Sequence, residues 1–281
     1  MGLMLKAIIA VVGLLAASAV GAEDARKVPR SFSRFEFDTE VARGLWAEVA
    51  TGFSTTEESG VSVDATTVAP RLVYGYDRFE GGVFILYHSI RGDISGSSGG
   101  GPGPIVSQSF DADGIGDLRL YGKAVPLRSE WADAGLGLEV SLPTGDDSDG
   151  LGAGEVGLLP YGSATAHLGP VDLGAHFGYR TFPGSDTSYW SSSNAFDSWV
   201  YGGGLFAPIT DIIGVRAELL GESFDTNDSQ SVVLFEPGVD IRLAAGAVDI
   251  LLRPTAAAGF TDESPDWGIG GSVALAWDPM R

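Results

Sequence analysis

Gly114-Ile-Gly-Asp-Leu-Arg-Leu-Tyr-Gly-Lys-Ala124, then Gly135-Leu-Gly-Leu-Glu-Val-Ser-Leu-Pro-Thr-Gly-Asp-Asp147 and Leu151-Gly-Ala-Gly154, decide how this chain folds. In an extended backbone successive side chains point to opposite faces. Leu118, Leu120 and Ala124 therefore share one face, and Asp117, Arg119, Tyr121 and Lys123 share the other. In the second piece Leu136, Leu138, Val140 and Leu142 alternate with Gly135, Gly137, Glu139 and Ser141. Both read as strands with one apolar and one polar face. A soluble sheet turns its polar face to water, whereas a membrane barrel turns it inward, and the rest of the chain decides between them.

Outward from this stretch the same period recurs. Ile213, Val215, Ala217 and Leu219 alternate with Arg216 and Glu218; Val233, Phe235, Val239, Ile241 and Leu243 with Glu236, Asp240 and Arg242; Val248, Ile250, Leu252, Ala256 and Phe260 with Asp249 and Arg253. From Gly44 onward, segments of about ten residues separated by turn residues form the signature of an outer-membrane barrel. The predicted strands are Leu45–Phe53, Val63–Tyr76, Gly82–Arg91, Gly114–Val125, Ala132–Leu142, Glu155–Leu168, Val171–Phe182, Ser198–Ala207, Ile212–Gly221, Val232–Ala244, Val248–Phe260 and Gly268–Trp277. Twelve strands predict an all-β, antiparallel, up-and-down transmembrane β-barrel over residues 44–281.

The connections alternate in length. Ser54–Ser62, Gly92–Asp113, Pro143–Gly154, Pro183–Asp197, Glu222–Gln230 and Thr261–Asp266 are long and polar; Asp77–Gly81, Pro126–Trp131, Gly169-Pro170, Pro208–Asp211 and Ala245–Ala247 are short. Long loops outside and short turns in the periplasm are the asymmetry of such barrels. The long loops carry 16 Asp and Glu and no Lys or Arg, which makes an acidic outer rim suited to divalent cations among anionic lipid headgroups. Aromatics near strand ends, among them Phe53, Tyr74, Tyr76, Tyr87, Trp199, Tyr201, Phe260, Trp267 and Trp277, suit interfacial girdles against outer-membrane lipid.

Lys6, an apolar run at Ala7–Ala17 too short to span a bilayer, and Val20-Gly21-Ala22 make the pattern of a cleavable signal peptide over residues 1–22. None of the 281 residues is Cys, which suits an oxidising periplasm and leaves no lipoprotein attachment. Residues 23–43 read as a periplasmic lead-in, the alternative being an extended segment that enters the lumen, since a thirteenth strand would give the odd count that single-chain bacterial barrels avoid. A net charge of −20 argues against nucleic-acid binding, which needs a basic face.

The sequence resembles the outer-membrane proteins described as components of a MetA pathway of phenol degradation. The resemblance rests on Gly114–Lys123, Leu142-Pro143-Thr144-Gly145-Asp146, Leu151-Gly152-Ala153-Gly154, Leu168-Gly169-Pro170-Val171 and Gly178-Tyr179, and it is clear over about residues 114–182. It implies a transporter-like barrel that passes small aromatic or apolar molecules, and it carries no catalytic set and no cofactor.

His88-Ser89 cannot act as base and nucleophile, because neighbours on a strand face opposite ways. The run Asp146-Asp147-Ser148-Asp149-Gly150 lacks the ligand series and closing Glu of a calcium loop, and Gly99–Gly103 lacks the context of a phosphate cradle. No catalytic or metal-ligating set is expected. The expected function is passive passage of small solutes along a lumen lined by Glu48, Arg71, Arg119, Lys123, Glu139, His176, Arg180, Arg216, Glu218, Glu236, Asp240, Arg242, Asp249 and Arg253. The alternative is a closed, salt-bridged barrel serving as a structural or surface-interaction protein through its acidic loops.

Overall fold

The computed structural model describes residues 38–58, 61–97, 105–183, 197–224, 231–245, 248–261 and 264–277. The expected signal peptide, residues 23–37 of the lead-in, the Gly99–Gly103 cluster and most of the Pro183–Asp197 loop lie outside the described residues. The described chain forms β1 (Gly44–Glu58), β2 (Val61–Tyr76), β3 (Phe79–Ser97), β4 (Ile105–Arg128), β5 (Ala132–Leu142), β6 (Gly157–Leu168), β7 (Val171–Arg180), β8 (Ser198–Pro208), β9 (Ile213–Phe224), β10 (Ser231–Ala245), β11 (Val248–Gly259) and β12 (Trp267–Trp277). Each pairs antiparallel with the next, and β1 pairs with β12 from Leu45↔Trp277 to Thr55↔Trp267, so the barrel closes and no strand edge is left unpaired.

The twelve expected strands are the twelve observed ones, and β5 has the expected bounds. The largest correction concerns the supposed Gly92–Asp113 loop. There β3 and β4 continue as a long hairpin, with Arg91↔Asp111, Asp93↔Ser109 and Gly96↔Val106 in register. Past the membrane boundary neither face must meet lipid, so the apolar alternation that marks a strand disappears while the backbone ladder persists. The tips of β1, β2 and β9 lengthen in the same way, and Glu222, read as a loop residue, belongs to β9.

Short turns need special backbone. Asp77 has φ 54° between β2 and β3, and Gly169 has φ 66° between β6 and β7, the positive values that two-residue hairpin loops demand.

The pattern of burial is inside out. Leu136 is 66 % exposed on the outer wall while Glu139, three residues on, is 3 % exposed inside. A soluble sheet would reverse these values. Tyr76, Phe79, Trp131 and Trp277 stand exposed at the short-turn rim, and Trp199 and Trp267 at the other. At that long-loop rim Trp199 packs on Phe177 and Tyr179 with ring centroids 5.1 and 4.6 Å apart. From Trp267 to Trp277 β12 runs roughly 34 Å, about 25 Å along the axis at the usual tilt, the height of an outer-membrane apolar band.

Of residues 23–43 the structure describes Asp38 onward. Asp38, Thr39, Val41 and Ala42 are buried inside the short-turn mouth. The carboxylate of Asp38 meets the ammonium of Lys123 there. Gly75 lies where the Ala42 backbone crosses β2, and a Cβ there would collide with the Ala42 carbonyl.

Candidate functional site: the inner wall

The candidate lumen residues occupy alternating positions whose side chains face inward. Most of them assemble into four groups, with His176 and Glu236 apart. At the short-turn mouth Lys123 Nζ lies 2.7 Å from Asp38 Oδ1 and 3.1 Å from Glu80 Oε1, all three deeply buried. Glu80 also accepts from the Tyr121 hydroxyl at 2.8 Å and from the Ala42 N–H at 2.5 Å, and Thr39 Oγ1 bonds Thr165 Oγ1 at 2.7 Å. The segment before β1 is thus stitched to β3, β4 and β6.

The second group crosses the wall from β1 to β9. Arg253 lies 3.8 Å from Glu48 and 3.8 Å from Asp240, while Arg216 lies 3.5 Å from Asp240 and 3.8 Å from Glu218. Asp240 therefore sits between two guanidinium groups. Arg216 reaches it by lying across Gly238, where a Cβ would stand 2.6 Å from Arg216 Nε. Arg253 also stacks over Trp46 with its Cζ 5.8 Å from the ring centroid.

The third group lies nearer the long loops. Glu139 is 3.6 Å from Arg119 and 3.9 Å from Arg180, and Arg180 pairs in turn with Glu222. Phe84 lies between Arg71 and Arg119, whose Cζ atoms stand 5.3 and 5.8 Å from its centroid. The fourth is Arg242 with Asp249 at 2.5 Å, in the β10–β11 hairpin. His176 faces inward over Gly202, and His167 bridges Asp172 at 2.8 Å and Asp133 at 3.4 Å. Glu236 stands opposite Glu218 in the β9–β10 register.

Asp38, Glu80, Glu222 and the aromatic partners Phe84 and Trp46 are inner-wall residues that sequence reasoning missed. Asp38 and Glu80 fall outside the predicted strands, and Glu222 lies just past one. Asp117 was legible as a polar-face residue, but its task was not. Its carboxylate accepts from Gly145 N–H at 3.1 Å and Ala153 N–H at 2.9 Å, pinning both ends of the Pro143–Gly154 loop. Thr144 Oγ1 accepts from Leu118 N–H at 2.8 Å and donates to the Gly116 carbonyl at 3.2 Å. The loop consequently folds against β4 and buries Leu151. Asp146, on the exposed side of that loop, accepts from the Ser148 hydroxyl and N–H, which hold its carboxyl below the usual range. His88 faces inward, with Nδ1 3.1 Å from the Thr67 hydroxyl.

Between these groups lie cavities in series. One of about 260 Å³ lies under the Pro143–Gly154 loop, bordered by His88, Arg119, Arg180 and Glu222. The next, about 320 Å³, shares Leu86 with it and is bordered by Glu48, Arg71, Glu236 and Arg253. A narrow gap of about 20 Å³ follows, sharing Leu220 with the cavity above and bordered by Asp38, His176 and Glu218. A cavity of about 510 Å³ then fills the short-turn mouth between Glu40, Arg128, Asp133 and His167. The gap has room for about one water.

No family model and no curated relative matches the sequence. Among solved structures the chain is similar to an outer-membrane channel from Pseudomonas putida F1, with 15% identity and a TM-score of 0.58 over 87% of this chain and 100% of that one. It is also similar to the NanC porin, with 7% identity and a TM-score of 0.50 over 82% of this chain and 98% of that one. At such identities the likeness is one of fold. A closed twelve-stranded barrel with an apolar outer belt, aromatic rims and a charged interior is a barrel of the bacterial outer membrane.

Proposed function

We propose that this barrel is a passive channel for small solutes, with its long loops outside, its short turns in the periplasm and a signal peptide removed after Ala22. The observation that carries this reading is the series of charged cavities that the described residues enclose between the long-loop mouth and the short-turn mouth, narrowed at the gap beside Asp38, His176 and Glu218. Apolar residues such as Ala50, Ala65, Ala69 and Leu86 share the central cavity with charges, which suits a solute with an apolar body and agrees with the resemblance to proteins of phenol degradation. The acidic rim gathers cations, divalent ones included, as a diffuse atmosphere at the outer mouth.

A second reading, a closed scaffold, is favoured by one observation: residues 38–42 cross the short-turn mouth and are tied there by Lys123 and Glu80. Swelling of liposomes carrying the purified barrel separates the two. A channel admits small sugars and small aromatic alcohols at rates that fall steeply with solute size; absence of swelling by folded, reconstituted barrel establishes the scaffold instead.

A further inference from the structure

Closure gives every strand two neighbours within the ring, but β4 outruns its neighbour β5. It starts at Ile105, whereas its pairing with β5 starts at Leu118↔Leu142, and Pro143, which cannot donate to a ladder, follows the end of β5. Thr144 closes the last step, donating from its hydroxyl to the Gly116 carbonyl and accepting from the Leu118 N–H. Beyond it, among the described residues, 105–115 pair with β3 alone, from Ile105↔Ser97 to Ile115↔Tyr87. In an antiparallel ladder alternate residues aim their N–H and C=O groups at opposite edges. About half of these residues therefore present both groups on the side where no strand lies, along roughly 35 Å of extended backbone past the long-loop rim.

Sheet proteins guard an open edge with lysine, proline or a very short strand. Residues 105–115 contain neither lysine nor proline, and Asp111 and Asp113 are their charges. Both are exposed; Asp111 lies 3.8 Å from the Arg91 guanidinium and Asp113 accepts from the Tyr87 hydroxyl at 3.2 Å. The Arg91 pair is open to water at both ends, so it contributes little and yields to a competing cation. The Pro143–Gly154 loop lies against the base of the same edge, where a Cβ on Gly114 would stand 2.8 Å from Leu151 Cδ1, and it carries the exposed Asp146, Asp147 and Asp149.

These acids select the occupant. A second copy of this chain, paired edge to edge, would bring Asp111 and Asp113 against the acidic face of its twin, and like charges facing across a strand pair repel. A strand bearing lysine meets the same carboxylates as opposite charges at a cross-strand spacing of about 5 Å. We propose that residues 105–115 of β4 are a docking edge for an extended, cationic segment of another protein, which adds to the ribbon as an antiparallel strand. Backbone hydrogen bonds supply the attachment, and cationic side chains at alternate positions meet Asp111, Asp113 and the acidic loop. This role is separate from solute passage and stands whether or not the pore conducts.

The probe is a fluorescent peptide of alternating threonine and lysine, about ten residues long to match the edge, titrated by anisotropy into the full chain in a non-ionic detergent. It binds saturably, and hydrogen exchange across residues 105–115 slows in the complex. Its counterpart N-methylated at every residue, which keeps the charge and loses the backbone donors, binds at least about tenfold more weakly, and Asp111→Asn with Asp113→Asn weakens the unmodified peptide about tenfold. Heat-modifiable gel mobility confirms that the double variant is a closed barrel. Equal binding of the N-methylated peptide, unchanged exchange over 105–115 in the saturated complex, or no binding by folded wild type overturns the proposal. Slowed exchange there that grows with barrel concentration in the absence of peptide makes a second copy the occupant and overturns it as well.

Discussion

Lys123→Met tests the electrostatic lock at the short-turn mouth. Lys123 stands 2.7 Å from Asp38 and 3.1 Å from Glu80, and none of the three is more than 4 % exposed. At an effective dielectric of about 20 each contact is worth about 5–6 kcal/mol of Coulomb attraction, against a desolvation cost of several kcal/mol per ion. The net worth of the cluster is therefore modest, but removal of its one cation leaves two carboxylates facing each other away from water. The expected loss is about 3–5 kcal/mol. Asp38→Asn removes one of the two stranded carboxylates, so it should return at least about 2 kcal/mol of that loss in the double variant. Guanidinium unfolding in lipid vesicles, followed by tryptophan fluorescence, measures all four corners of the cycle. A Lys123→Met loss below about 1 kcal/mol with no coupling to Asp38→Asn would refute the lock.

Thr39→Cys with Thr165→Cys, in a chain without natural cysteine, should form a disulfide on mild oxidation, because the two hydroxyl oxygens are 2.7 Å apart; failure to cross-link would remove residues 38–42 from the mouth. Asp117→Ala should free both ends of the Pro143–Gly154 loop at about 1–3 kcal/mol and raise thiol labelling of a Leu151→Cys probe at least tenfold, while unchanged labelling would show that Asp117 does not pin the loop. Gly238→Val should cost about 1–3 kcal/mol because its side chain takes the space that Arg216 crosses, and full stability would contradict the described path of that arginine. Cysteine at Asp147 should react with an impermeant reagent on intact cells and cysteine at Ser129 only after the outer membrane is breached; the reverse pattern would invert the proposed orientation.

Much of the barrel was legible because membrane strands obey two constraints at once, backbone pairing and a period of two. Where lipid stands against the outer face, as along Leu136, Leu138 and Val140, the pattern is unmistakable and the bounds of β5 follow from it. Beyond the bilayer the second constraint lapses, so the β3–β4 hairpin carries strand geometry without strand patterning. The inner face was legible as a set of inward positions, since alternation places Arg216, Glu218, Asp240 and Arg253 together. The pairs within it were not. Lys123 meets Glu80 and Asp38, and Arg180 meets Glu222, through contacts set by the entering segment and by register around the ring, neither of which a local pattern contains. The loop motif around Leu-Pro-Thr-Gly-Asp was visible as a motif, while its physical meaning, an inward fold clasped by Asp117, needed three dimensions.

Passage of ions along the cavities is measured by single-channel recording in a planar bilayer under a potassium chloride gradient, with heat-modifiable, reconstituted wild-type protein. The expected result is small, reproducible current steps with a reversal potential displaced toward cation selectivity. Silence from folded wild-type barrels across repeated insertions would contradict the conducting path and leave a closed, salt-bridged scaffold in its place.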